Sequence, residues 1–277
     1  MGERIRCLPD LFVTSGYDRL MDLFVRESGP VGAPAVVFLH GGRMSGWCWQ
    51  PVVERMSQYR CLVPDLPQFG NSFQQGPFEM GQAADAVAEL IRSRVATGRA
   101  HLVGYSLGAQ LAVQLLTSDS KLIDRAVVCG PVINTKWGVE LMQHLAVPLA
   151  RTTWFRTVVR RGWNARRGGI PAARLADYRN DVTLITRAQF AHIVAASARF
   201  TLPDRLDEVD TPTLFLTGDK ETRLAHRSAA ALAQPMPNGV DRVARGMGHD
   251  WPLRYPDLFS RTVDGWLAGT ALPPEIS

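Results

Sequence analysis

With 277 residues, 46% of them hydrophobic and 21% charged, the chain has the material for one sizeable core and a composition in the ordinary globular range. No window supplies the uninterrupted apolar stretch of about 18 residues that a membrane span requires, so a spanning protein is not expected. The formal charge of +5 is modest, and the arginines behind it concentrate between residues 151 and 205 without a nucleic-acid-binding module, which argues against nucleic acid as a partner.

The opening MGERIRCLPDLFV carries charges but no apolar run followed by a small-residue cleavage site, so a cytoplasmic location is expected. Cys7, Cys48, Cys61 and Cys129 lack CxxC or Cys/His spacing; neither a metal centre nor a disulfide framework is expected from them. No feature of the chain specifies an oligomeric state.

In chain order, residues 11–13 (LFV) and 21–25 (MDLFV) around Ser15-Gly16 predict an antiparallel edge hairpin. Short apolar runs follow at 35–39 (AVVFL), 61–63 (CLV) and 101–103 (HLV), each ending in a Gly, Pro or Asp cluster, as buried strands do. Between the last two, Ala83, Val87, Leu90, Ile91 and Val95 recur at helical spacing, and residues 107–116 are rich in Ala and Leu; both stretches predict helices. Further strands are expected at 126–129 and 213–217, a helix at 224–233, and a last strand at 240–243. Strands alternating with helices imply an α/β fold with a mostly parallel sheet covered on both faces.

From residue 133 to 203 the strand rhythm stops, and helical patterns appear with many arginines, Trp137, Trp154, Trp163 and a turn at Gly168-Gly169. This segment reads as a helical insertion, with residues 1–132 and 204–277 forming the α/β core.

Gly104-Tyr105-Ser106-Leu107-Gly108 is a G-x-S-x-G sequence. Its context makes it specific: a strand runs into it and a helix runs out, the order that a sharp nucleophile turn requires. Glycines flank such a turn because neighbouring backbone comes too close for a Cβ. A serine hydroxyl needs a base to take its proton, and His is the usual one. Of the six histidines, His249 lies in GMGHDW after the last expected strand; His101, His144, His192 and His226 fall in a strand, the insertion or a helix and read as structural or surface residues. An acid to orient His249 is expected after the strand at 213–217, where TGDKE offers both Asp219 and Glu221. The amide of Leu107, directly after Ser106, is an expected oxyanion donor.

Taken together, VVFLHGGRMSGWCW, VPDLPQFGNS, HLVGYSLGAQLA, TPTLFLTGDKE and GMGHDW resemble, in order, the third strand with its oxyanion loop, the segment after the fourth strand, the nucleophile elbow, the acid loop and the histidine loop of the α/β-hydrolase superfamily. The likeness covers nearly the whole chain. It implies a Ser–acid–His triad in that chain order, selects Glu221 over Asp219 because the family acid commonly stands three residues after the glycine, and makes Gly42 of His40-Gly41-Gly42 the second oxyanion donor. It also implies that the insertion at 133–203 is a cap over the site, with Trp137, Trp154 and Tyr105 as candidate substrate-binding residues. One departure is Gln68, which stands where the family pattern has glycine.

The function implied is hydrolysis of a small or medium carboxylic ester or thioester through an acyl-Ser106 intermediate, with a small-molecule acyl substrate and no metal or organic cofactor. Carbon–carbon bond hydrolysis and cofactor-free perhydrolysis use the same residues; GYSLGA lacks the SMGG that often marks the first of these. Resembling hydroxynitrile lyases place Lys directly after the histidine, where this chain has Asp250, and serine in the elbow excludes Asp-nucleophile enzymes. A ligand-binding receptor that merely retains the fold is the non-enzymatic alternative.

Overall fold

The computed structural model describes residues 21–134 and 170–277. Its centre is a seven-stranded sheet in the order β1-β3-β2-β4-β5-β6-β7, formed by β1 (Val25–Ser28), β2 (Ala35–Leu39), β3 (Arg60–Pro64), β4 (Ala100–Tyr105), β5 (Ile123–Cys129), β6 (Thr213–Gly218) and β7 (Gly239–Ala244). Only β1 is antiparallel, pairing with β3 from Val25 opposite Pro64 to Ser28 opposite Cys61; the other neighbours are parallel.

Successive side chains of a strand point to opposite faces, and here both faces are apolar. Val37, Leu39, Leu102, Val128 and Phe215 enter one core with α2 (Met80–Arg94), α3 (Leu107–Asp119) and α6 (Arg223–Ala233). Val36, Phe38, Val103, Val127, Leu214 and Leu216 enter the other with α1 (Gln50–Val53), α7 (Trp251–Arg254) and α8 (Pro256–Ala268). This explains why the strands read as unbroken apolar runs rather than alternating ones.

The expected strands and helices of the core appear, extended by a few residues. One expectation needs correction, and one helix was not expected. The edge strand expected at 21–25 begins only at Val25, runs to Ser28 and pairs with β3; its expected partner, residues 11–13, lies outside the described residues. The pairing is fixed by Arg26, whose Nη1 donates to the buried Asp65 carboxylate beyond β3 at 2.5 Å. The sequence reading also passed over α8, although Leu258, Phe259, Thr262, Val263, Trp266 and Leu267 recur at helical spacing. Burial of its larger apolar side chains contributes roughly 1.5–3 kcal/mol apiece.

Between β5 and β6 the described residues form α4 (Leu175–Leu184) and α5 (Arg187–Ala198), the latter opened by a capping box between Thr186 and Gln189, which satisfies two otherwise unpaired amides. Ile185, Ile193 and Phe200 pack into the core on the α3 side, whereas Tyr178 and Val182 pack on the opposite one. Gln110 of α3 donates to the carbonyls of Val132 (2.7 Å) and Ser197 (3.2 Å), and its amide oxygen accepts from the Ser197 hydroxyl. Among the described residues no helix is long and apolar enough to cross a membrane.

A close backbone approach joins α3 to the end of β2: a Cβ on Gly108 would stand 2.2 Å from the Leu39 carbonyl oxygen and 2.8 Å from that of His40. Backbone on both sides leaves little room to relax. Gly108→Ala is therefore expected to destabilise the protein by about 2–3 kcal/mol, seen as a lower urea midpoint at unchanged m-value; a midpoint equal to that of the parent protein would contradict this packing.

Candidate active site

Ser106 occupies the turn between β4 and α3 with φ 55° and ψ −111°. This backbone is unfavourable for an L-residue, by roughly 1–3 kcal/mol, and persists because its surroundings leave no alternative. Its amide donates to the Cys129 carbonyl at 2.9 Å. Gly104 and Gly108 meet across the turn, where a Cβ on Gly104 would stand 2.3 Å from the Gly108 carbonyl oxygen. The steric reason for both glycines inferred from the motif is thus visible in the packing.

The carboxyl ends of β4, β5, β6 and β7 bring four chain-distant groups together. Ser106 follows β4, Gly130 follows β5, Glu221 follows β6 and His249 follows β7. His249 Nε2 lies 3.1 Å from Ser106 Oγ, and His249 Nδ1 lies 2.7 Å from Glu221 Oε2. A carboxylate only accepts, so Nδ1 carries the proton and Nε2 is left free to accept from the serine hydroxyl. Glu221 is held in turn by the Gly218 amide, which donates to Oε1 at 2.9 Å, and its side chain is buried whereas that of His249 is half exposed.

Asp219, the alternative acid, is elsewhere: it is exposed and accepts from the Gly246 amide at 2.9 Å. Tyr105 is buried between Trp49 and the His249 imidazole, with ring centroids 6.3 and 5.1 Å away, and burial pushes its phenol well above the usual value. Trp137, Trp154 and His144 lie outside the described residues. His192 pairs with Glu79 at 2.8 Å, and His226 contacts the Thr217 hydroxyl at 2.9 Å.

The loop after β2 covers the elbow. A Cβ on Gly41 would lie 3.4 Å from Ser106 Cβ, and one on Gly42 would lie 3.9 Å from the side chain of Leu107, so the two expected oxyanion donors sit on adjoining pieces of backbone. Leu107 is the first residue of α3, where the amide has no partner inside the helix ladder. His40 anchors this loop from below. It is fully buried; its Nδ1 donates to the Gly41 carbonyl at 2.9 Å, and its Nε2 accepts from the Leu66 amide at 3.0 Å. The ring is therefore neutral, and burial holds its pKa down at about 4.

Three supports of the site were not found from sequence. Asp65, in the VPDLPQFGNS segment, accepts from Arg26, from the Gly46 amide (2.7 Å) and from the Asn71 amide (2.8 Å), tying the oxyanion loop to β1 and β3. Asp181 of α4 accepts from Trp47 Nε1 at 2.6 Å and from Ser45; burial pushes its carboxyl up to about 6. Gly130, at φ 64°, lies against the imidazole: a Cβ there would stand 2.7 Å from His249 Cε1. An isolated glycine at the end of an apolar run was the only sequence signal for it. Gln68, the departure from the family pattern, adopts the left-handed backbone that favours glycine, at φ 67°, and its side-chain oxygen accepts from the Phe78 amide at 2.9 Å.

The fold agrees with the comparisons to known proteins. A model of the alpha/beta hydrolase family matches residues 36–262, and the chain belongs to that family. It is 39% identical to a pimeloyl-[acyl-carrier protein] methyl ester esterase of Aeromonas hydrophila, over 83% of this chain and 94% of that one, and 26% identical to an AB hydrolase superfamily protein of Gibberella zeae, over 91% and 86% respectively. Among solved structures it is similar in fold to the enol-lactonase of Burkholderia xenovorans, with a TM-score of 0.71, 20% identity and coverage of 89% of this chain and 96% of that chain.

Two outcomes are expected. Gly130→Ala drives a methyl group into the His249 ring, and displacement by about 1 Å costs on the order of 10²-fold in rate; kcat/KM for a hydrolysed ester should fall accordingly, and a value within twofold of the parent would contradict the contact. His40 contributes a pH term of defined sign. Its neutral form is retained in the fold down to about pH 4, whereas the unfolded chain protonates it near 6.5, so stability present above about 6.5 is lost as the pH falls towards 4, by up to about 3 kcal/mol. Asp181, whose folded value is raised, works in the opposite direction below about pH 6. The difference in urea-unfolding free energy between pH 7.5 and 5, compared between the parent and His40→Gln, isolates the His40 term; equal differences in the two proteins would remove it.

Proposed function

We propose that the protein is a serine hydrolase that cleaves a small or medium carboxylic ester or thioester through an acyl-Ser106 intermediate. The observation that carries this reading is the continuous hydrogen-bonded line from Glu221 through His249 to Ser106, at 2.7 and 3.1 Å. Relatives named as esterases support the same class of reaction.

In this reading His249 Nε2 takes the Ser106 proton as Oγ attacks the carbonyl carbon. Glu221 holds the ring in the tautomer that leaves Nε2 available, and stabilises the imidazolium that forms. The amides of Leu107 and Gly42 take the negative charge on the carbonyl oxygen, acting as fixed donors that need no rearrangement during the step. Collapse of the tetrahedral intermediate breaks the ester bond; His249 protonates the departing alkoxide or thiolate, then deprotonates the water that releases the acid. No step requires a metal or an organic cofactor. Residues 133–203 act as a cap over a core made of 1–132 and 204–277. Trp137 and Trp154 are candidate walls of its pocket, and Tyr105 supports the imidazole from below.

Ser106→Ala is expected to lower kcat on 4-nitrophenyl butyrate by roughly 10⁴-fold or more, and Glu221→Gln by roughly 10²–10⁴-fold, with Asp219→Asn close to the parent. A fluorophosphonate probe should label the parent protein and not Ser106→Ala. Undiminished turnover by Ser106→Ala would refute the mechanism, and an unlabelled parent protein with no esterase turnover would favour a binding module.

A further inference from the structure

Among the described residues, four that are not glycine hold a positive φ: Arg43 (67°), Gln68 (67°), Ser106 (55°) and Arg205 (63°). Such backbone is unfavourable for L-residues, and where it persists at a site the side chain concerned commonly has a task there. For three of them the task is visible. Ser106 forms the elbow, Gln68 accepts from the Phe78 amide, and Arg205 donates to Glu208 at 2.8 Å.

Arg43 differs. Among the described residues its guanidinium has neither a carboxylate nor a hydrogen-bond partner, although the residue is partly buried. Other partly buried arginines are paired: Arg26 with Asp65 and Arg60 with Glu27. Arg43 directly follows Gly42, whose position abuts Leu107, so it belongs to the loop that covers Ser106. Its charge also reaches Tyr178 on α4, where it works against burial to lower the phenol's pKa. A carboxylate of α4 that faces this loop, Asp181, is already taken by Trp47 and Ser45.

A partly buried arginine on the loop that covers Ser106, with no counter-ion among the described residues, is a ready partner for a carboxylate, which its guanidinium can grip with two parallel hydrogen bonds. We propose that Arg43 is a specificity-determining residue that binds a carboxylate carried by the substrate within a few bonds of the scissile carbonyl, so that acidic esters are the preferred substrates. This rests on the acyl-Ser106 reading above.

The test compares 4-nitrophenyl hydrogen glutarate with neutral 4-nitrophenyl valerate, and carboxymethyl butyrate with neutral ethyl butyrate, placing the carboxylate on the acyl or the alcohol side. The parent protein should prefer one acidic ester over its neutral counterpart by about 10-fold or more in kcat/KM. In Arg43→Met that ratio should fall by about the same factor, and Arg43→Lys, which carries the same backbone strain but keeps a charge, should recover part of it. No preference by the parent, or a ratio untouched in Arg43→Met, overturns the proposal. A second measurement needs no turnover: calorimetric binding of monomethyl glutarate and of carboxymethyl butyrate to Ser106→Ala, with and without Arg43→Met. The tighter of the two should bind at least fivefold more weakly without Arg43; equal affinity, or no binding of either acid to Ser106→Ala, overturns the proposal. If Ser106→Ala turns over esters like the parent, the acyl-enzyme reading falls on its own, and the calorimetric comparison decides the role of Arg43.

Discussion

The site depends on one steric constraint, the contact of backbone with backbone where α3 leaves the sheet. Gly104 and Gly108 allow β4 to turn into α3 at a separation no side chain would permit, and the turn can then hold Ser106 at φ 55°. A relaxed serine would follow the strand or the helix, with its hydroxyl pointing along one of them. The strained one projects from the tip, where the loops after β6 and β7 can meet it. The hydrogen bond from the Ser106 amide to Cys129 links the elbow to the neighbouring strand, whose next residue, Gly130, leaves the space that the imidazole fills. The position of Ser106 and the room for the His249 ring thus come from adjacent parallel strands.

The same economy of side chains governs the histidine loop. A Cβ on Gly218 would stand 2.5 Å from the Met247 carbonyl oxygen, and the Lys220 amide donates to that oxygen at 2.9 Å. The acid loop and the histidine loop therefore lie directly on one another before any triad bond is made. That contact explains why Glu221 rather than Asp219 reaches His249. The turn after Gly218 directs Asp219 outward to the Gly246 amide and brings Glu221 back over the Gly218 amide, where its second oxygen faces the ring.

Much of this was legible in the amino-acid sequence because it is local. A buried parallel strand is a short apolar run with a turn residue at its end, and β2, β4, β5 and β6 declared themselves in that way. The elbow is local as well, with strand, glycine, serine, glycine and helix in one stretch. What escaped was set by partners distant in the chain. Gly130 matters only because His249, far along the sequence, folds onto it. Asp65 and Asp181 read as ordinary loop and helix carboxylates, and become anchors only when Gly46, Asn71 and Trp47 converge on them. Asp219 and Glu221 were separated only by the spacing that the family resemblance implies, since the physical difference between them is one of direction after a turn. The edge strand was misplaced for a related reason, its register being set by Arg26 reaching Asp65 and not by the alternation of its own residues.

The buried polar groups around the oxyanion loop form a consistent electrostatic design. His40 is kept neutral, so that its two nitrogens serve as one donor and one acceptor between Gly41 and Leu66. Asp65 is matched by Arg26. Among the described residues Asp181 has only neutral donors, Trp47 and Ser45, and a buried carboxylate without a cation is held in place less by net attraction than by the cost of leaving those donors unpaired. Through that contact α4 is joined to the segment immediately after the oxyanion loop, while Gln110 joins α5 to the helix that starts at the nucleophile. The two described helices between β5 and β6 are therefore tied to the loop after β2 and to the helix that follows Ser106.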